Sequence, residues 1–335
     1  METCRKELAQ MLGVQTDGIY FTSGGSEGNF LAIQALLSSP FKKGKHIITS
    51  TAEHASIHSA LEKCKQEGFE ITALPYDPDG HIEVEQLKAA IREETVLIAI
   101  QHGNSEIGTV QPIVEISKLC RERDILLHSD CVQTFGKLDM QELAQSVDSL
   151  AISGHKFYGP KGVGAVYLNP RLHWEAFYPN TSHENGFRPG TVNVPGIAAM
   201  TLAAQQSLAS LAEQQEHFIK LRDIFLNTIK DKEAQIKVYP SDLPSIVGLR
   251  IKGMEGQLVM LECNRNGYAI STGSACQVGS QAPAKTMTAL GVTGKQAKEF
   301  IRISFGKNTK PEDVRTLGKT LIKILHAYEK QSERN

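Results

Sequence analysis

The sequence predicts an α/β fold with a largely parallel central sheet and helices on both faces, joined to a smaller C-terminal α+β domain. Three observations carry that expectation. Short β-branched runs alternate with longer amphipathic segments through the first half, the texture turns helical after about Pro195, and polar residues collect just past the ends of the apolar runs.

Taken in order, GIYFTS reads as a strand and is followed by a helix from about Ser26 to Leu37. HIITS and EITALPY are further strands, separated by a helix through IHSALEKCKQEG. A helical EVEQLKAAIREE leads to the strand VLIAI, and IVEISKLCRERD is the next helix. The strands ILLHSD, SLAIS and GVGAVYL complete the set. Beyond them, GIAAMTLAAQQSLASLAEQQEHFIKLRDIFLNTIK keeps apolar residues at helical spacing with no strand, and then IVGLRI and FIRISF read as strands with helices between and after them. The change of texture sets a domain boundary between 190 and 200, with a large domain over 1–194 and a smaller one over 195–335.

With 335 residues and 41% hydrophobic content the chain can bury a large core. A net charge of -1, with both signs mixed along the chain, gives no electrostatic case for nucleic acid or an anionic membrane. No stretch approaches the roughly 20 apolar residues that span a bilayer, and METCRKELAQMLGV is charged where a signal peptide would be apolar. These features lead us to expect a cytoplasmic protein. Cys4, Cys64, Cys120, Cys131, Cys263 and Cys276 are scattered, with no C-x-x-C and no zinc-type Cys/His spacing, so free thiols are expected rather than disulfides or a metal site.

The chemistry gathers at strand ends, where ligands bind in such sheets. TSGGSEGN supplies a Gly24–Gly25 turn and a capping Ser26 ahead of a helix whose N-terminus can face an anion. His54 follows HIITS, Asn104 follows VLIAI, and Asp130 stops the apolar run ILLHSD, with Gln133 just beyond. A carboxylate at a buried strand end needs a cation or hydrogen bonds. SLAIS then runs into Ser153, His155 and Lys156, and a lysine among small residues is suited to a Schiff base. Lys156 for an aldehyde, Asp130 for a pyridinium nitrogen, Ser26, Ser153 and His155 for a phosphate, and His54 against a ring together fit pyridoxal phosphate. A nicotinamide fold would require G-x-G-x-x-G after its first strand, which GIYFTSGGSEGN does not match.

FTSGGSEGNFLAIQ, TAEHASI, GNSEIGTVQPI, HSDCVQTFGK, SGHKFYGPKGVGA, FRPGTVNVPG, STGSAC and IRISFG resemble, in order, the blocks of the cysteine desulfurases, class V enzymes of pyridoxal phosphate fold type I. The resemblance implies that Lys156 carries the cofactor, Asp130 pairs with its ring nitrogen, Gln133 bonds its phenolic oxygen and His54 stacks on the ring and assists proton transfer. Gly25, Ser26, Ser153 and His155 would bind the phosphate, with Thr191 reaching it across a homodimer. Asn104 would position cofactor and substrate, Arg302 would take the substrate carboxylate, and Cys276 would attack the sulfur of L-cysteine. The resulting persulfide would pass to an acceptor protein, an iron-sulfur scaffold or a thiolation enzyme. Family members carry a further N-terminal segment of about fifty residues, and this chain begins at what resembles their second helix. Two alternatives stand beside this reading. One is a selenocysteine lyase or another class V lyase or transaminase; the other is a non-catalytic cofactor-binding or partner-binding protein.

Overall fold

The structure, a computed structural model, describes residues 1–38, 44–273 and 283–332. Two compact units are formed. The first comprises Met1–Leu74, Ile82–Gly103 and Gln111–Leu211; the second comprises Pro75–His81, Asn104–Val110 and Ala212–Asn335.

In the first unit a seven-stranded sheet contains β1 (Ile19–Thr22), β2 (His46–Ser50), β3 (Glu70–Leu74), β4 (Thr95–Gln101), β5 (Leu126–Asp130), β6 (Ser149–Ser153) and β7 (Gly164–Leu168). Their order is β1-β7-β6-β5-β4-β2-β3. Every neighbouring pair is parallel except the two made by β7. Strand β7 is reversed because the chain returns from β6 through a short turn, whereas a parallel partner needs a crossover of about a dozen residues or more. Since β1 and β6 both run opposite to β7, strands β1, β2, β5 and β6 end on the same edge, the edge where the sequence places its polar residues.

Helices α1 (Glu2–Leu12), α2 (Gly25–Ser38), α3 (Ala55–Gln66), α4 (Val84–Ala90), α5 (Ile113–Glu122), α6 (Gln141–Ser146) and α7 (Val194–Ala209) belong to this unit. One apolar core joins Leu31, Leu36, Ile57 and Leu61 of α2 and α3 to Ile47, Leu97, Leu126 and Ala151 of the sheet. The alternate strand residues Ile48, Ile98, Leu127 and Leu150 are equally buried, as a sheet covered on both faces requires. The helical stretch read as continuous after Pro195 is in fact two helices. It breaks at Ser210, whose hydroxyl donates to Gln206 O at 2.8 Å, a local bond that competes with the helical ladder.

In the second unit, α8 (Leu211–Ile229) leads to β8 (Ile236–Val238) and β9 (Ile246–Ile251). Helices α9 (Gly256–Arg265), α10 (Lys285–Ala289) and α11 (Gly294–Lys298) precede β10 (Phe300–Ser304), and α12 (Pro311–Ser332) ends the chain. The three strands form an antiparallel sheet in the order β10-β9-β8. Phe225, Val247, Leu249, Val259, Ile301 and Leu321 make up the centre of its own core. Strand β8 escaped the sequence reading because three residues carry no usable periodicity. No helix among the described residues is long and apolar enough to cross a membrane.

Candidate active site

At the end of β1 the chain turns through Gly24, with φ of 149°, into the first turn of α2. A Cβ on Gly25 would lie 2.5 Å from Val132 Cγ2, so only glycine fits where this turn meets the loop after Asp130. The backbone N–H groups that open α2 have no intrahelical partner and carry the positive end of its dipole. Ser153 Oγ, at the end of β6, lies 3.5 Å from where a Cβ on Gly24 would stand, and 3.0 Å from His155 Nδ1. Burial, then the charges of Lys156 and Lys161, lower the pKa of His155. The result is a group of donors at a helix N-terminus, with Glu27 of the first turn taken up by the Ser23 N–H and Arg188, an arrangement suited to an anion.

Lys156 is exposed on the single helical turn Gly154–Phe157 that follows β6. Asp130 is buried at the end of β5, where Oδ2 accepts from Asn29 Nδ2 at 2.7 Å and Oδ1 from the Val132 N–H at 3.0 Å. Burial raises its pKa, while the Val132 N–H, the positive charge that His54 brings when protonated, the Asn29 amide and the charge of Lys156 act against that. Both His54 and Lys156 therefore lie within electrostatic reach of this carboxylate. His54 caps α3: its Nδ1 accepts from the Ser56 N–H at 3.2 Å and lies 2.8 Å from Ser56 Oγ. Capping and a half-buried ring at the strand edge are thus one arrangement, because the cap is what fixes the ring. Gln133 Oε1 accepts from Lys137 Nζ at 3.2 Å. Thr191 is exposed ahead of α7.

Asn104 and Arg302 belong to the second unit and share the backbone of Ser105 as a neighbour. Arg302 Nη1 donates to Ser105 O at 2.9 Å. The Nε of this guanidinium is buried without a hydrogen-bond partner among the described residues, and burial lowers its pKa against the charge of Glu106. Asn104 Oδ1 accepts from the N–H groups of Glu106 and Ile107, and its Nδ2 donates to Thr286 Oγ1 at 2.9 Å. Glu106 in turn accepts from the Thr286 N–H at 3.0 Å. Cys276 lies outside the described residues.

Residues 1–317 match the family model for the class V aminotransferases. The Bacillus subtilis protein NifS is 46% identical over 322 residues, covering 95% of this chain and 82% of its own. The chain belongs to the class V aminotransferases, within the cysteine desulfurases. A cysteine desulfurase IscS of Dictyoglomus turgidum is 38% identical over 94% of this chain and 80% of its own. A solved structure titled NifS-like protein superposes with a TM-score of 0.88 at 28% identity, covering 97% of this chain and 87% of its own.

Enzymes of this family are pyridoxal phosphate dependent, and the residues present fit that group. The donor-lined turn beside Gly25 suits its phosphate, and an exposed Lys156 suits its aldehyde. A buried Asp130, whose pKa burial raises, suits a pyridinium nitrogen that would supply the missing positive charge. The sequence reading passed over Asn29, Ser56 and His128. A signal for two of them was there: His128 stands two residues before Asp130 on a buried strand, hence on the same face, and Asn29 interrupts an otherwise apolar helix face.

Proposed function

We propose that this chain converts L-cysteine to L-alanine and captures the sulfur as a persulfide on Cys276. The observation that carries the reading is the buried Asp130 carboxylate within electrostatic reach of both Lys156 and His54, beside a donor-lined turn made for an anion. Pyridoxal phosphate, when bound, acidifies the α-hydrogen of an amino acid and accepts the electron pair it leaves. The chain would hold that group through Lys156, Asp130, Gln133 and His54, and its phosphate through the turn at Gly25 and Ser26, with Ser153 and His155. Lys156 Nζ takes up and returns the substrate protons. The Cys276 thiolate attacks the substrate sulfur; the Cβ–S bond breaks as the S–S bond forms, and the carbon left behind is protonated to alanine. Four of the other cysteines support this choice of nucleophile by their condition. Cys64, Cys120, Cys131 and Cys263 are buried, and burial pushes their thiols up, to about 11, 12 and 11 for Cys64, Cys120 and Cys263, far from a thiolate at neutral pH.

On this reading residues 1–194 hold the cofactor and 195–335 carry the sulfur, in a cytoplasmic homodimer where Thr191 reaches the phosphate of the other subunit and Asn104 positions cofactor and substrate. The exposed apolar side chains of Val194 and Leu202 on α7, close behind Thr191, are consistent with such an interface. The acceptor would be an iron-sulfur scaffold or a thiolation enzyme. Addition of L-cysteine to the purified protein should perturb the visible cofactor spectrum and give alanine and a persulfide on Cys276. Cys276→Ala should keep the cofactor spectrum and lose alanine formation from cysteine; undiminished turnover under physiological reductant removes the assignment. Retained turnover on selenocysteine alone would mark a lyase instead.

Arg302 is assigned to the substrate carboxylate because its buried Nε has no partner among the described residues while Nη1 is already held by Ser105 O. Arg302→Lys keeps the charge but not the planar fork, so KM for cysteine should rise about ten- to a hundredfold with kcat changed much less. An unchanged KM would place the carboxylate elsewhere.

A further inference from the structure

Asp130 and His54, the two groups assigned to the cofactor ring, are joined by one buried chain of hydrogen bonds centred on Asn29. The Asn29 side chain is fully buried inside α2. Its Nδ2 donates to Asp130 Oδ2 at 2.7 Å and to Ser56 Oγ at 2.9 Å. Its Oδ1 lies 3.1 Å from His128 Nε2, and His128 Nδ1 lies 2.6 Å from Ser149 Oγ. Ser56 Oγ is 2.8 Å from His54 Nδ1, which also faces the Ser56 N–H at 3.2 Å.

The direction of every bond in this chain follows from elementary valence. Both Asp130 oxygens accept an N–H, the arrangement of an ionised carboxylate, which can only accept. Asn29 must therefore turn its NH₂ toward Asp130, and its second hydrogen serves Ser56. Its oxygen is left as an acceptor, so His128 must donate from Nε2, and His128 Nδ1 must accept the Ser149 hydroxyl hydrogen. Burial brings His128 down to about 3, in keeping with a neutral ring. Ser56, having accepted from Asn29, has its own hydrogen to give to His54 Nδ1. That nitrogen also accepts the Ser56 N–H, so a neutral His54 carries its proton on Nε2.

We propose that Asn29 is a positioning residue of the cofactor site: it orients the Asp130 carboxylate and, through Ser56, holds His54 as the Nε2–H tautomer. The occupied Nδ1 lone pair means that His54 presents a flat neutral ring and takes up no proton at Nδ1. Any proton His54 moves leaves from Nε2. The link to the cofactor rests on the desulfurase reading, whereas the tautomers are a property of this chain's own bonds.

The test uses holoenzyme labelled with ¹⁵N-histidine, the resonances of His54 and His128 being assigned among the 11 histidines through H54Q and H128Q. In the unmodified chain both residues should show an unprotonated Nδ1 and a protonated Nε2. Ser56→Ala, which takes away the hydroxyl and leaves the Ser56 N–H on His54 Nδ1, should shift the His54 Nδ1 resonance part of the way toward the protonated position and leave His128 unchanged. Asn29→Leu should weaken pyridoxal phosphate binding about ten- to a hundredfold, the effect of losing a hydrogen bond to a charged group. A protonated His54 Nδ1 in the unmodified enzyme overturns the proposal. So does an unmoved His54 signal in Ser56→Ala, which decides the matter even where Asn29→Leu fails to fold, and so does a folded Asn29→Leu whose cofactor Kd stays within twofold. Locked tautomers in an enzyme that forms no alanine from cysteine support the network and count against the desulfurase reading alone.

Discussion

Asp130→Asn should lower alanine formation from cysteine by about a hundred- to a thousandfold, the range seen when one preorganised electrostatic partner is removed from a reacting centre. The replacement keeps shape and most packing, takes away the charge, and turns one of the two acceptor oxygens into an NH₂ set against a donor, the Val132 N–H or the Asn29 amide. Burial raises the pKa of this carboxylate, so its ionised form is a cost to the folded chain that the Val132 N–H and the Asn29 amide reduce. An acid whose folded pKa is raised stabilises the fold below its unfolded pKa and loses that contribution as pH rises through the folded value. At neutral pH the ionised Asp130 is therefore retained against stability, as a site that needs the charge demands. The asparagine variant should keep its secondary structure and, with the cofactor stripped, unfold within a few degrees of the parent chain. Steady-state turnover together with a thermal melt checks both halves. A variant that turns over cysteine at the parental rate would separate Asp130 from the chemistry.

The first unit was largely legible because its strands are short apolar runs bounded by turn residues, and the seven predicted strands are the seven of the sheet. Asp130 could be read because a carboxylate at the end of a buried strand is expensive, and His54 and Lys156 because they fall just past the ends of other strands of the same sheet, Lys156 among small residues. Ser56 carries no mark, and those of Asn29 and His128 show only that a polar side chain is buried: the role of each comes from its partners, Asn29 and Asp130 being 101 residues apart. The same holds for Asn104 and Glu106, whose bonds to Thr286 span 182 and 180 residues. Conserving the order of apolar runs fixes which residues share an edge, while hydrogen-bond direction is decided by side chains that periodicity does not see.

Glu184 gives the second large effect, and nothing in the sequence advertises it. It sits among polar and flexible residues in NTSHENG, yet its side chain is 1% exposed. Its Oε2 accepts from Arg5 Nη1 at 2.9 Å and from the Phe21 N–H at 2.7 Å, and its Oε1 accepts from Arg5 Nη2 at 3.0 Å. Arg5 also donates to Ile19 O and to Glu2. Burial pulls the Arg5 pKa down, but hydrogen bonds and charge from Glu184 and Glu2 outweigh it and hold it above the ordinary value. The pair thus pins helix α1 and the segment ahead of Arg188 to the edge strand β1, where Glu184 takes the Phe21 N–H. The backbone of Glu184, at φ 47° and ψ 43°, is left-handed, a conformation a side chain adopts only where its contacts compensate. Glu184→Ala leaves a buried strand N–H unpaired and Arg5 with only the exposed Glu2 as its countercharge, and should cost about 3 kcal/mol of stability, the low end for a broken buried pair because Glu2 and Ile19 O still hold the guanidinium. Arg5→Met combined with Glu184→Leu removes both charges at once and should recover most of that loss, since an apolar pair of similar volume is often as stable as the ion pair it replaces. Chemical denaturation of the single and double variants measures it. A double variant no better than Glu184→Ala would mean that the Phe21 N–H, rather than the Arg5 charge, is what Glu184 chiefly serves.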